Sequence, residues 1–277
     1  MSKTTYQLLT TLGMGEATLD RLMPLARMRT AAAGERLIAK GQHQANWMHV
    51  SSGLVGPCIA DAAGSWIPLG LCGPGSWLGE GAFLDGRSAP TDWVCLSPVT
   101  ALCISAAEAL HAFETDPPFA RQIAYLLQLR NAQQIEMLSQ ARNDNPQSRI
   151  ILGLARLGAL LNESVTHPRH PGPDSDLLLP LKQSVLASLC GVSCGVSRGV
   201  FNACLQHLAA AGWLQAHYGT LSLLSIQSWA RLHRASQRAP MCTDRASMTE
   251  HLAWMDANRH GAPDANLEAV KPAPAAA

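Results

Sequence analysis

Leu181–Leu224 reads LKQSVLASLCGVSCGVSRGVFNACLQHLAAAGWLQAHYGTLSLL, and this stretch decides the fold of the C-terminal half. Val185, Leu186, Leu189 and Cys190 recur at helical spacing, and so do Val200, Phe201, Cys204, Leu205 and Leu208, with Gly-Val-Ser turn signals between the two runs. Two short helices flanking a glycine-bearing turn are therefore predicted. Ser197 is placed to cap the second helix, its hydroxyl accepting an otherwise unpaired backbone N–H, and Gly212 stands where that helix must stop. Beyond it Trp213, Leu214, Leu221, Leu223 and Leu224 flank Tyr218-Gly219-Thr220, which predicts two short strands joined by a tight turn, a wing.

On the second helix Arg198, Asn202, Gln206 and His207 fall away from the apolar positions. Arginine and asparagine pair bidentately with guanine and adenine edges in the major groove, so this face is a candidate reader of double-stranded DNA. Solvation alone also puts polar residues on the outer face of any helix; the turn and the wing are what favour recognition. Lys182, Gln183, Ser197, Arg198, Asn202, Gln206 and His207 form the candidate DNA-binding set.

The chain resembles the cyclic-AMP receptor protein and FNR (CRP/FNR) family of bacterial transcription regulators through Leu181-x-Gln183, Leu186-Ala187, Gly195-Val196-Ser197-Arg198, Asn202, Leu205-x-x-Leu208 and Gly212-Trp213-Leu214. Upstream, Gly34-Glu35-x-Leu37, Gly41, Ser52-Gly53, Pro74-Gly75, Gly79-Glu80 and Leu84-Asp85-Gly86-Arg87 resemble the punctuation of that family's N-terminal β-roll, the cyclic-nucleotide-binding fold. The resemblance runs from about residue 8 to 233. It implies an α+β architecture: a sensor β-roll with a helical lead-in over 1–117, a long dimerisation helix over 118–145 and a winged helix-turn-helix over 146–233. It also implies a homodimer on a palindromic site, with RNA polymerase as a candidate partner; a cytoplasmic location is expected from the lack of a membrane span or signal-peptide core.

Two departures from the family pattern bear on function. Gly191-Val192-Ser193-Cys194 is followed by its near-duplicate Gly195-Val196-Ser197-Arg198. About one helical turn of extra chain therefore lies between the halves of the motif, and either the first helix lengthens or the turn bulges. Where family members carry a glutamate after the arginine and a second arginine four residues on, this chain has Gly199 and Ala203, so few base-reading side chains remain. A ligand module that has lost DNA recognition is the alternative that this departure motivates.

The second departure is in the ligand pocket. In the family's cyclic-AMP binders a Gly-Glu pair takes the ribose and an Arg-Ser/Thr-Ala segment takes the phosphate. Gly79 and Glu80 are present, but family spacing puts Ala89 and Pro90 at the phosphate positions. Arg87-Ser88-Ala89 has the right order two positions early, so a shortened loop would rescue the site, while Pro90 removes a donor. Cyclic AMP is thus not the expected effector, and no cofactor is expected. If another small molecule is sensed, Gly79, Glu80, Arg87 and Ser88, with Gln133 and Gln134 from the long helix, are the candidate lining.

Composition is compatible with this reading. With 277 residues, 47% of them hydrophobic, the chain can bury an ordinary core and hold about two domains. No apolar run approaches the roughly 18 residues of a membrane span, and the N-terminus lacks a signal-peptide core. The net charge of +1 is near neutral. Between Asn145 and His233, however, Arg149, Arg156, Arg169, Lys182, Arg198 and Arg231 outweigh Glu163, Asp174 and Asp176, which predicts salt-sensitive DNA binding. The eight cysteines follow no disulfide-framework spacing and are read as buried thiols. Cys190, Cys194, Cys204 and His207 are at a spacing that would suit a metal or a thiol switch, yet Cys190 and Cys204 also fall at core positions. No metal site is assigned. With no nucleophile-elbow Gly-x-Ser-x-Gly expected, and neither a phosphate-loop Gly-x-x-x-x-Gly-Lys nor a His-Glu-x-x-His, no catalytic residues are assigned and an enzyme is not expected.

Residues 118–142 predict one long helix, opened by proline. Leu127, Asn131, Gln134, Leu138 and Ala141 trace a coiled-coil-like seam, while Phe119, Ile123, Leu126 and Ile135 are expected to pack on the sensor. Ser148–Leu161 predicts a helix beneath the helix-turn-helix. The tail 234–277, rich in polar residues, Pro and Ala, is expected to be disordered apart from a short helix that Ser247-x-x-Glu250 would cap.

Overall fold

The computed structural model describes residues 6, 9–10, 12–141, 145–164, 175–190, 196–217, 220–238 and 246–259. The chain divides into two compact units, residues 1–134 and 135–277.

The first unit opens with α1 (Glu16–Leu22) and then forms the roll. Its strands are β1 (Arg27–Ala31), β2 (Arg36–Ile38), β3 (Asn46–Ser52), β4 (Val55–Ala60), β5 (Trp66–Pro68), β6 (Trp77–Leu78), β7 (Asp92–Cys95) and β8 (Val99–Ser105). They make two four-stranded sheets, ordered β1-β8-β3-β6 and β2-β7-β4-β5, with every pairing antiparallel. The short α2 (Gly81–Leu84) sits between β6 and β7, and α3 (Ala106–Thr115) follows β8. Along β3, Trp47, Met48 and Val50 are buried and supply both hydrophobic clusters of the unit, Trp47 the one beneath the helices and Met48 and Val50 the one between the strands.

Asp116 links this roll to α4 (Pro117–Ala141). One carboxylate oxygen accepts the Phe119 N–H at 3.2 Å, as a helix cap, and the other accepts the Gly15 N–H at 2.8 Å. Phe119 and Ile123 are fully buried in the first unit's core and Leu126 packs against it, as the periodicity predicts. Ile135 is a correction: it is 59% exposed rather than packed, because the described core contacts of α4 end near Leu126.

The second unit is built on α5 (Pro146–Ser164), three residues longer at its C-terminus than the periodicity predicts. Asn145 caps it by accepting the Gln147 and Ser148 N–H groups at 3.0 and 3.3 Å. Then come β9 (Leu177–Leu179), α6 (Gln183–Leu189), α7 (Arg198–Ala210), β10 (Leu214–His217), β11 (Thr220–Leu223), α8 (Ile226–Arg238) and α9 (Met248–Ala257). The two helices of the motif and the two strands of the hairpin are where the sequence places them, while 218–219 lie outside the described residues. The wing is a three-stranded sheet, β10-β11-β9, rather than a bare hairpin.

The first helix of the motif does not lengthen. The Cys190 N–H still bonds to the Leu186 carbonyl at 2.9 Å and the helix ends there, while residues 191–195, which hold the first turn copy, lie outside the described residues. In the tail the expected disorder is corrected over 234–238, and the expected capped helix forms. Helix α8 continues to Arg238 across the boundary set at 233/234, and α9 forms with both bonds of its capping box, Glu250 N–H to Ser247 Oγ at 3.3 Å and Ser247 N–H to Glu250 Oε2 at 2.6 Å. The tail helix is retained by buried contacts. His251 is 2.9 Å from Ser148 Oγ, Asn145 donates to the Ala246 carbonyl at 2.9 Å, and Met248 and Met255 are buried. Residues 239–245 and 260–277 lie outside the described residues.

Candidate functional site

In the first unit, Gly79 has φ +92°, and a Cβ there would be 2.9 Å from the Asn46 carbonyl oxygen. Only glycine fits this turn, and the turn directs Glu80 inward. Glu80 is buried. Trp47 Nε1 donates to its Oε1 at 3.2 Å, and the Arg130 guanidinium, reaching from α4, pairs with Oε2 and also donates to the Trp77 carbonyl. Trp47 and Trp77 stack with centroids 3.8 Å apart and 19° between planes, and Phe83 and Phe119 meet Trp47 edge-on at 5.8 and 5.4 Å. Burial pushes the neighbouring His49 down to about 4. The carboxylate that a ribose hydroxyl would engage therefore already has two protein donors.

The other predicted pocket residues are elsewhere. The Arg87 side chain is 85% exposed and pairs with Asp85 at 3.2 Å. Ser88 bridges to His43, and Ala89 spends its N–H on the Gln42 carbonyl at 3.0 Å and accepts from the Gly41 N–H at 2.9 Å. The Arg87-Ser88-Ala89 segment is thus held by strand-like pairing along Gly41–His43, with the Ala89 N–H engaged inside the roll. Gln133 and Gln134 are exposed on α4 and hydrogen-bond to none of these groups among the described residues. Arg130 is the residue that sequence reasoning missed. Its signal was only a cation one helical turn before Gln133-Gln134.

In the second unit, Ser197 caps α7 by accepting the Val200 N–H at 3.2 Å. Phe201, Cys204, Leu205 and Leu208 are buried, and this leaves Arg198, Asn202, Gln206 and His207 exposed. Arg198, Asn202 and Gln206 make no hydrogen bond or ion pair among the described residues. The His207 Nδ1 lies 2.9 Å from the Ala203 carbonyl, to which it donates, so Nε2 is the ring nitrogen turned outward. Lys182 is exposed just before α6, and Gln183 is half-buried in its first turn. In the wing Leu214 pairs with Leu223 and His217 with Thr220.

Helix α5 holds the end of α6 in place. A Cβ on Gly153 would be 3.0 Å from Cys190 Sγ, so the helices meet at a residue without a side chain, and Arg156 donates to the Leu189 carbonyl at 3.2 Å. Burial lowers the Arg156 pKa. Arg149 and Arg231 are buried too, and Arg231 donates to the Asn258 carbonyl at 2.6 Å. The basic balance counted from sequence is therefore mostly internal, and Lys182 and Arg198 are the exposed cations of that count among the described residues.

Burial pushes the Cys190 and Cys204 thiols up to about 12, the opposite of what a metal ligand or redox switch requires. Among the described residues no group of three or more His, Cys, Asp or Glu is arranged to hold a metal ion. The expected absence of a Gly-x-Ser-x-Gly elbow is corrected at the level of letters, since the duplicated turn spells that pattern twice, over 191–195 and 195–199. An elbow needs a strand before the serine. Here the preceding element is helix α6, and Ser197 is an extended, unstrained cap whose oxygen accepts a backbone bond. No described helix is long and apolar enough to cross a membrane.

Comparison with known proteins gives a consistent result. The family model "Cyclic nucleotide-binding domain" matches residues 28–116. No curated protein sequence matches significantly. Among solved structures, FixK2 from Bradyrhizobium japonicum superposes with a TM-score of 0.58 at 15% identity, over 74% of this chain and 95% of that one. A CRP/FNR-family transcriptional regulator from Thermus thermophilus gives 0.56 at 19%, over 75% and 98%. The c-di-GMP responsive global regulator CLP of Xanthomonas campestris gives 0.51 at 22%, over 76% and 99%. At such identities the likeness is one of fold. Residues 28–116 match the cyclic nucleotide-binding domain family, and the fold is that of the CRP/FNR regulators.

Proposed function

We propose that the protein is a sequence-specific, DNA-binding transcription regulator that acts as a homodimer. The observation that carries this reading is the outer face of α7, where Arg198, Asn202 and Gln206 are exposed and unengaged beside a formed wing. Buried polar groups find partners inside a fold, whereas base-reading groups must be left free until DNA arrives. Lys182 and Gln183 flank the motif, Ser197 sets the start of the reading helix and His207 extends its polar face. Leu127, Asn131, Gln134 and Leu138 are all exposed on α4, and the two leucines are apolar surface that a second α4 would cover. Dimerisation pairs two narrow reading heads on a palindrome. RNA polymerase is the further partner of such a regulator.

Cyclic AMP is not the expected effector. Glu80 is engaged by Trp47 and Arg130, and Arg87 points to solvent. DNA binding without an effector is a serious alternative; if a small molecule other than cyclic AMP is sensed, Gly79, Glu80, Arg87, Ser88, Gln133 and Gln134 are its candidate lining. Selection of duplexes from a random library at near-physiological salt tests the reading, with a recovered palindrome whose half-sites lie about one helical turn apart as the expected result. No enrichment would favour a ligand module without DNA recognition. Calorimetry with cyclic AMP and cyclic GMP should show no heat.

A further inference from the structure

We infer that α7 reads a half-site containing A·T pairs, with Val200 and Ala203 touching thymine methyl groups. This deepens the DNA-reading proposal above and rests on it.

The buried set Phe201, Cys204, Leu205 and Leu208 fixes which side of α7 is turned outward. The outward residues are Arg198, Gly199, Val200, Asn202, Ala203, Gln206, His207, Ala209 and Ala210. A solvated helix face ordinarily carries several charges of both signs. On this helix Arg198 is the sole member of the Asp, Glu, Lys and Arg set. The face is therefore matched to a surface that presents hydrogen-bonding edges and methyl groups rather than to bulk water.

Base chemistry narrows the choice further. Arg198 can bridge guanine O6 and N7, and Asn202 and Gln206 can bridge adenine N6 and N7. Cytosine offers an N4 donor that calls for a carboxylate, and α7 has none. Thymine offers a C5 methyl group that calls for an apolar contact, and Val200, 37% exposed on the first turn, and Ala203, one turn on, supply it. Gly199 agrees with a close approach. Its backbone is helical, and a Cβ there would meet only Ser197 Oγ, at an ordinary 3.8 Å. Nothing within the fold requires glycine there, although glycine weakens a helix; a Cβ-free position next to Arg198 lets the helix backbone sit closer to base edges.

The test uses the full-length protein and the duplex recovered by selection. Each thymine of one half-site is replaced in turn by deoxyuridine, which removes only the C5 methyl. Affinity should fall about fourfold at one or two positions, the worth of one buried methyl group. In Val200→Ser or Ala203→Ser that penalty should vanish at the matching position, and thermal unfolding of each variant confirms that the exposed substitution leaves the fold intact. A recovered half-site without A·T pairs opposite this helix, or one indifferent to deoxyuridine at every thymine, overturns the inference while DNA reading stands. Failure to recover any duplex overturns the DNA-reading proposal itself, and this inference with it.

Discussion

The two regions that family resemblance marks as functional are built in opposite ways. In the roll Glu80 points inward and has partners: it receives Trp47 Nε1 and the Arg130 guanidinium, beside a stacked pair of tryptophans. On α7 the polar groups point outward, and Arg198, Asn202 and Gln206 have no described partner. The lesson concerns what a motif residue is available for. A buried carboxylate that already has a cation and an indole donor has no need of a ligand, because its desolvation is offset from within. An exposed row of donors that carries a single charge, on a helix packed against α5, is free to be covered. The chain thus holds one motif whose polar groups are satisfied internally and one whose polar groups are exposed, the arrangement on which the proposed recognition rests.

The largest effect should come from breaking the internal pairing in the pocket. Arg130→Met leaves Glu80 buried without its cation and should cost about 3 kcal/mol in urea unfolding, at the low end of the range for a broken buried pair because the guanidinium is partly exposed. Combining it with Glu80→Gln should recover most of the loss. An Arg130→Met variant as stable as the parent would mean that the pocket is not held by this pair.

Acid should weaken both units. His49 in the first and His251 in the second are pushed down to about 4 by burial, the latter against an opposing pull from Glu250. The unfolded chain takes up these protons first, near pH 6.5, so stability is complete above that value and declines as pH falls toward 4, by up to about 3 kcal/mol per histidine. His49→Gln and His251→Gln should each flatten part of the decline in a series of unfolding curves across this range.

The smallest effect should come from the exposed cation beside the reading helices. Lys182→Ala should weaken binding about equally for all duplexes and reduce the slope of log affinity against log salt by about 1, with stability unchanged. A change in sequence preference would instead place Lys182 against a base.

Local features were legible in the sequence and paired ones were not. Periodicity located α6, α7 and the wing, and cap chemistry located Ser197 and the box at Ser247 and Glu250, because these depend on residues within a turn of each other. The pairing of Arg130 with Glu80 spans 50 positions, and no period encodes it. Charge counting failed for the same reason. Arg149, Arg156 and Arg231 read as surface cations until the fold turns them onto carbonyls and into cores. The tail helix was undervalued because its composition is weakly apolar, while its retention depends on Asn145, Ser148 and His251 meeting across about 100 positions. Strand β9 is three leucines long, too short for alternation to show.

The central claim is that α7 is the free, base-reading face, and the most direct measurement is the affinity of the selected duplex and of a scrambled duplex for the parent and for Arg198→Ala. The parent should prefer the selected duplex, and the variant should lose roughly 1 to 3 kcal/mol of that preference while unfolding as the parent does. Equal discrimination by the two proteins would contradict the assignment of Arg198 and of the face it opens.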